Sequence, residues 1–138
     1  NQEEIFNFLI NSNNIIYLLP QDKISDWKST DTECSFKAQG GFKIALIQDG
    51  SEGKSKVFMK SGEKSPFPFK LTLFINESNG KSNGYIEFNG EVNMFLKKMV
   101  EKPLTALFNH MAEKIKERFA FSGLIFRSLH NFSMALAW

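Results

Sequence analysis

The sequence contains few of the residues that build disulfide frameworks or metal sites. Its single cysteine, Cys34, excludes an intrachain disulfide and fits a reducing compartment. The two histidines, His110 and His130, lie far apart in the chain, and no paired spacing of cysteine and histidine is typical of a zinc site. We therefore predict that the protein uses no metal ion and no other cofactor.

Neither sign of charge dominates the chain. Seventeen lysines and arginines stand against fifteen aspartates and glutamates, and the two kinds alternate along the sequence. Proteins that bind nucleic acids more often carry a basic stripe with few acidic residues, so we predict no nucleic-acid partner. A basic segment followed by an apolar one, as in a signal peptide, does not open the chain, and we expect a cytoplasmic protein.

Phenylalanine is the residue that is unusually common. The chain has fifteen phenylalanines but only two tyrosines and two tryptophans. A phenylalanine ring fills volume without needing a hydrogen-bond partner, which suits a large dry core or the wall of an apolar pocket. Composition alone leaves both interpretations open.

One long helix is predicted from Val92 to Phe119. Apolar residues recur there at helical spacing, at Leu96, Val100, Leu104, Leu107, Met111 and Ile115. Pro103 lies inside this pattern, where it either begins a second helical segment or kinks one continuous helix.

Before this helix the apolar pattern changes from short helical pieces to strands. Two short helices are predicted before Pro20, and from Ile24 the apolar residues alternate with polar ones. Short polar connectors indicate hairpins and therefore an antiparallel sheet. The predicted fold class is α+β, a curved antiparallel sheet of about six strands around a long C-terminal helix. The predicted strands are 24–29, 33–39, 42–48, 56–61, 69–77 and 85–92.

Three segments of the sequence carry a resemblance to a known family. They are SPFPFKLTL (65–73), GEVNMFLKKM (90–99) and KPLT (102–105). Together they resemble a small bacterial group within the START-like (SRPBCC) superfamily, which includes polyketide cyclases and lipid-transfer proteins. The resemblance implies a helix-grip fold, in which a seven-stranded antiparallel sheet grips a long C-terminal helix. It spans about Glu3 to Glu117 and bears on fold far more than on activity.

The two ends of the chain depart from this family. Family members begin with a strand before the first short helix, whereas this chain begins at the helix, so we expect residues 1–119 to form a helix-grip domain truncated at its N-terminus. Residues 120–138 form an apolar extension that the family lacks. Its apolar residues have helical spacing, so we predict another helix, which could form a dimer, lie on a membrane surface or cover the sheet edge left by the missing strand.

Three patterns that suggest chemistry have simpler structural interpretations. Gly53-Lys54-Ser55 resembles the end of a phosphate-binding loop, but a strand follows it instead of a helix, so we predict a hairpin turn. Cys34 falls on the inward face of its strand, where a buried thiol is inert. His110 flanks the apolar stripe of the long helix, where contact with water is the favoured interpretation and contact with a ligand the alternative. We predict no catalytic residue.

The favoured function is non-enzymatic binding or transport of a hydrophobic small molecule, lipid or aromatic, in a cavity between the sheet and the long helix. The alternative for the same side chains is that they simply fill this space. Polar groups that converge in the cavity would instead indicate a cyclase or dehydratase like those of the polyketide cyclases. A protein-interaction module, resembling the co-chaperones of the superfamily and docking through the extension, is a further alternative. The predicted cavity wall consists of Phe36, Ile44, Leu46, Met59, Leu71, Leu73, Phe88, Leu96, Met99, Leu107 and Met111.

Overall fold

The computed structural model describes the backbone of residues 1–119, 126–129 and 133–137, and the side chains of residues 1–119. Two short helices precede a series of strands, and one long helix follows them, which confirms the predicted order of elements up to Phe119. The elements are α1 (Gln2–Leu9), a 3-10 helix (Ser12–Leu18), β1 (Ser25–Ser29), β2 (Glu33–Lys37), β3 (Lys43–Glu52), β4 (Lys56–Ser61), β5 (Phe69–Ser78), β6 (Lys81–Gly90), α2 (Met94–Phe119), β7 (Phe126–Leu129) and β8 (Ser133–Ala137).

The long helix α2 is continuous through Pro103, which decides between the two predicted arrangements. It begins after Asn93, whose side-chain Oδ1 accepts a hydrogen bond from the backbone N–H of Leu96 at 2.8 Å. This bond satisfies one of the amides that a helix N-terminus leaves without an intrahelical partner. Pro103 has no N–H to donate to the carbonyl of Met99, so the first turns of α2 are joined to the rest by one hydrogen bond fewer.

The six predicted strands form an antiparallel meander, which confirms the α+β fold class. Side chains alternate across the sheet, and the apolar residues predicted to point inward are buried or half-buried. They join residues of α1, of the 3-10 helix and of α2 in one hydrophobic core. The inner face of the sheet is therefore covered by helices.

The C-terminal extension contains two strands, so the prediction of a helix is wrong for residues 126–129 and 133–137. Strand β8 pairs with β6, with Tyr85 opposite Ala137 and Asn89 opposite Ser133, and β7 pairs with β8. Without β8, this edge of β6 would present unpaired backbone N–H and C=O groups. The extension therefore covers a sheet edge, as one of the predicted alternatives had it, but with a strand instead of a helix. Residues 120–125, 130–132 and 138 of the predicted extension lie outside the described residues.

The segment around Gly53-Lys54-Ser55 is the turn between β3 and β4, as predicted. Gly50 and Gly53 have φ angles of 92° and 53°, which glycine adopts without the steric cost that a side chain adds. The Lys54 ammonium lies 2.7 Å from Glu3 Oε1 of α1 and so pairs with a carboxylate of this chain. No helix follows the turn, and the segment lacks the anchoring dipole of a phosphate-binding loop.

Candidate functional site

The structure places most of the predicted cavity wall inside the packed core. Nine of the eleven residues are buried in one cluster with the other core side chains. Leu96 is half-buried against that cluster, and Met99 is 58% exposed. The nine buried residues are Phe36, Ile44, Leu46, Met59, Leu71, Leu73, Phe88, Leu107 and Met111.

Phenylalanine rings fill the part of this core that lies beneath α2. The ring of Phe88 lies 5.0 Å from that of Phe69 and 5.2 Å from that of Phe108, measured between centroids. Phe67 is 6.2 Å from Phe88 and meets it edge to face. Such distances are those of rings in direct contact. Here phenylalanine serves as core packing.

A small cavity lies between α2 and the two segments that precede β1 and follow β2. Its volume is about 60 Å³, which corresponds to roughly two water molecules at 30 Å³ each. Of the predicted cavity wall, Leu107 alone contributes to its lining. Apolar side chains predominate, with Lys23, Gln39 and His110 as the polar members. The lining consists of Pro20, Lys23, Ile24, Ala38, Gln39, Pro103, Ala106, Leu107 and His110.

His110 connects this cavity to the 3-10 helix. Its Nδ1 lies 3.0 Å from the carbonyl oxygen of Leu18, and the side chain is half-buried. Because a carbonyl oxygen only accepts hydrogen bonds, Nδ1 carries the proton in this contact. The histidine therefore anchors α2 to the 3-10 helix while it also lines the cavity.

A mainly apolar stripe on α2, exposed at its N-terminal end, leads to the same cavity. Phe95 and Met99 are 75% and 58% exposed, and with Pro103, Ala106 and His110 they form what we call the α2 stripe. At 3.6 residues per turn these five positions fall within about 80° of one another around the helix axis. Sequence analysis placed Met99 in the cavity wall, but it missed the outward direction of the side chain.

The outer face of the sheet carries two adjoining hollows that sequence analysis also missed. Their volumes are about 430 Å³ and 320 Å³, and both are lined by Lys28, Ser35 and Lys64. The larger extends toward Glu33 and Glu63, and the smaller toward Lys37 and Lys43. The outward lysines of β2 and β3 were the available signal, but their spacing alone did not indicate a concave surface.

No family model, curated protein or solved structure matches this chain. The resemblance to the START-like superfamily therefore remains a prediction. Within the described residues, no helix is both long and apolar enough to cross a membrane. The same residues contain no group of three or more histidine, cysteine, aspartate or glutamate side chains close enough together to hold a metal ion.

Cys34 is buried, as predicted, with 3% of its surface exposed. Burial raises the pKa of its thiol from 9.0 to about 12, and the nearby charge of Glu33 acts in the same direction. The thiol therefore keeps its proton at neutral pH, and the reactive thiolate is not formed. Apart from it, the buried side chains with polar atoms in residues 1–119 are Ser12 and Ser82, and Ser12 Oγ lies 3.2 Å from Gln48 Nε2.

Proposed function

We propose that the protein binds a hydrophobic small molecule of the fatty-acid type along the α2 stripe. The observation that carries this proposal is the continuity of an exposed apolar helix face with a cavity. Phe95 and Met99 provide large exposed apolar surfaces, and Pro103 and Ala106 continue them into the cavity. Exposed apolar side chains that adjoin a concave surface are typical of binding sites.

The site proposed here lies at the margin of the space between sheet and helix, not at its centre. Ligand cavities usually have volumes of about 300–1,000 Å³, whereas the cavity beside α2 has about 60 Å³. A ligand in the packed interior would have to displace buried side chains, and interiors packed to crystal-like density resist that. A hydrocarbon chain that lies along the α2 stripe and is covered by Phe95 and Met99 displaces none of these buried side chains.

The polar residues at the cavity suit the head group of an amphiphile. Lys23 and Gln39 are exposed, and His110 is half-buried. No ion pair of Lys23 occurs in the described part of the chain, so its ammonium is available to a carboxylate. The head group would lie near Lys23, and the hydrocarbon chain would extend along Ala106 and Met99 toward Phe95.

The first test is the identity of any bound molecule and its dependence on the α2 stripe. Native mass spectrometry of the protein purified from cells is expected to show a co-purified small amphiphile. Titration calorimetry with hexadecanoic acid is then compared between Met99→Gln and Met94→Gln. Both methionines are exposed on the same helix, but Met94 lies outside the stripe. We expect Met99→Gln to bind hexadecanoic acid about tenfold more weakly than the wild type, because the variant loses the burial of part of the methionine side chain against the ligand, about 1.4 kcal/mol. We expect Met94→Gln to bind it as the wild type does.

The second test fills the cavity. Ala106→Trp places an indole in the space that the ligand needs, whereas Asn109→Trp adds the same bulk at a position that does not line the cavity. We expect the first variant to lose hexadecanoic acid binding and the second to retain it, with both folded by circular dichroism. Equal affinity in all four variants, or no binding by the wild type, would contradict the proposal.

The two other functions lack a specific supporting observation. A cyclase or dehydratase needs polar groups that converge on a substrate, and the buried faces described above are almost entirely hydrocarbon. The interaction module, the homodimer and the membrane-surface contact were all assigned to residues 120–138, whose side chains lie outside the described residues. These remain predictions of the sequence.

A further inference from the structure

Lysines surround a concave part of the outer sheet surface, on the opposite face from the core. Four of them, Lys28, Lys37, Lys43 and Lys64, line the smaller hollow, and among the described residues of that lining Asp26 is the single acidic one. Asp26 Oδ2 lies 3.8 Å from Lys37 Nζ. The other three lysines have no ion pair with any residue that the structure describes.

The strand register brings two of these charges directly together. Lys37 of β2 is opposite Lys43 of β3, and both point outward. Like charges directly opposite each other on one face of an antiparallel pair are destabilising. Of these two lysines, only Lys37 has an ion pair with a described residue, so Lys43 contributes repulsion that an anion in the hollow would relieve.

Short side chains lie between these lysines on the outer face, and Trp27 and Phe36 also line the smaller hollow. In the next row of the register Lys28 is opposite Ser35, and Ser35 is opposite Ala45. Ser35 lines both hollows, whereas Ala45 lines only the larger one, so these short side chains leave the surface low where the two hollows adjoin. Ser35 is half-buried and offers a hydroxyl donor at the bottom of the hollow.

Backbone contacts hold the segment that contributes Lys64. The N–H of Gly62 donates to the carbonyl of Ala45 at 2.9 Å, and the N–H of Ala45 donates to Ser65 Oγ at 3.0 Å. A Cβ at Gly62 would lie 2.8 Å from the Cβ of Ala45, so the close approach requires glycine. This segment extends the wall of the hollow beyond β3 and presents Lys64 on the side away from Lys28.

We propose that this hollow, which we call the lysine groove, binds a small molecule that carries phosphate groups. Lysine ammonium groups bind phosphate as point charges, and several around one concave floor add their attraction for a multiply charged anion. The groove volume of about 320 Å³ suits a small phosphorylated molecule. The inference does not depend on the α2 stripe, because the two sites lie on different elements and different faces.

The test uses inorganic pyrophosphate as the probe. Its binding is measured in NMR titrations from the shifts of the backbone amide resonances of β1 and β2. The triple variant Lys28→Gln/Lys43→Gln/Lys64→Gln is compared with Lys70→Gln/Lys81→Gln/Lys98→Gln. The second variant removes the same three charges at exposed positions outside the groove. We expect the groove variant to bind pyrophosphate about tenfold more weakly or worse, and the control to bind it as the wild type does.

A second arm separates a free phosphate compound from a lipid head group. Vesicles of phosphatidylcholine with phosphatidic acid are sedimented with the wild type and with both triple variants. If the groove variant loses pyrophosphate binding, the ligand is a soluble phosphate compound. If it loses vesicle binding alone, the ligand is the head group of a lipid. The proposal is overturned if neither probe binds, or if both triple variants lose binding equally.

Discussion

The two sides of α2 carry similar residues in opposite environments. Met111 has no exposed surface, whereas Met99, three turns earlier on the same helix, is more than half exposed. Phe108 is buried in the aromatic cluster, and Phe95 is the most exposed large apolar residue of the described chain. Residue type is therefore no guide to role in this helix. Position around the axis separates side chains that stabilise the fold from side chains available for binding.

The largest expected difference between the two sides is in stability. Phe88→Ala removes a ring that contacts three other phenylalanines in the core, and we expect a loss of about 3–5 kcal/mol in the free energy of unfolding. Phe95→Ala removes a ring from the α2 stripe, and we expect a change within about 0.5 kcal/mol. Urea unfolding followed by circular dichroism measures both. Similar losses in the two variants would show that Phe95 is packed in solution.

A smaller effect is expected at Gly90, at the edge of the aromatic cluster. A Cβ there would lie 2.9 Å from atoms of both Phe67 and Phe88, closer than side-chain contacts allow. Gly90→Ala should therefore lower the free energy of unfolding by about 1–3 kcal/mol through overpacking.

The Phe67→Leu variant provides the control for Gly90→Ala. Adding it to Gly90→Ala removes one of the two close contacts, so the double variant should be more stable than the sum of the single changes predicts. Strictly additive effects would mean that Gly90 does not limit the packing of these rings.

The smallest effect concerns the pH dependence that Cys34 contributes. With a pKa of about 12 in the folded state against 9.0 ordinarily, the buried thiol stays protonated while the unfolded chain ionises. Its contribution to stability is complete below pH 9 and is lost progressively between pH 9 and pH 12. Between pH 8 and pH 10 the wild type should lose about 1 kcal/mol more than Cys34→Ala does.

Thiol labelling checks the same residue independently. The folded protein should react with a disulfide reagent at pH 8 only as fast as it unfolds, and fully once it is unfolded in urea. Rapid labelling of the native protein would show that the thiol is accessible and that its pKa is not raised.

Much of the fold could be predicted because its signals are local. Alternation located strands such as Lys56–Ser61, and the apolar repeat located α2 to within two residues at its start. Pro103 was placed inside the helix, but its effect depended on whether tertiary packing favours one helix or two. Covering a sheet edge was one predicted role of the extension, but its pairing with β6 as a strand, at 133–137, could not be predicted, because the helical spacing in the extension gives no register with a distant strand.

The candidate sites were less predictable than the fold. Apolar periodicity identified Leu107 and Met111 as core residues and assigned Met99 to the same wall, but Met99 turns away from the sheet and joins the α2 stripe. The lysine groove depends on which residues the register places side by side, and on a loop that Gly62 brings against Ala45. Neither relation is visible in the spacing of residues along one segment.

By itself the sequence determined the meander, the long helix, the inward faces of the strands and the burial of Cys34, because each follows from the periodicity of neighbouring residues. The tertiary structure decided that nine of the eleven predicted wall residues are buried in one core cluster, that Met99 is exposed, and that strands form in the C-terminal extension. It also decided where unpaired lysines gather. The physical reason is that packing, edge pairing and charge clustering depend on contacts between residues far apart in the chain, and those contacts form only when the elements meet.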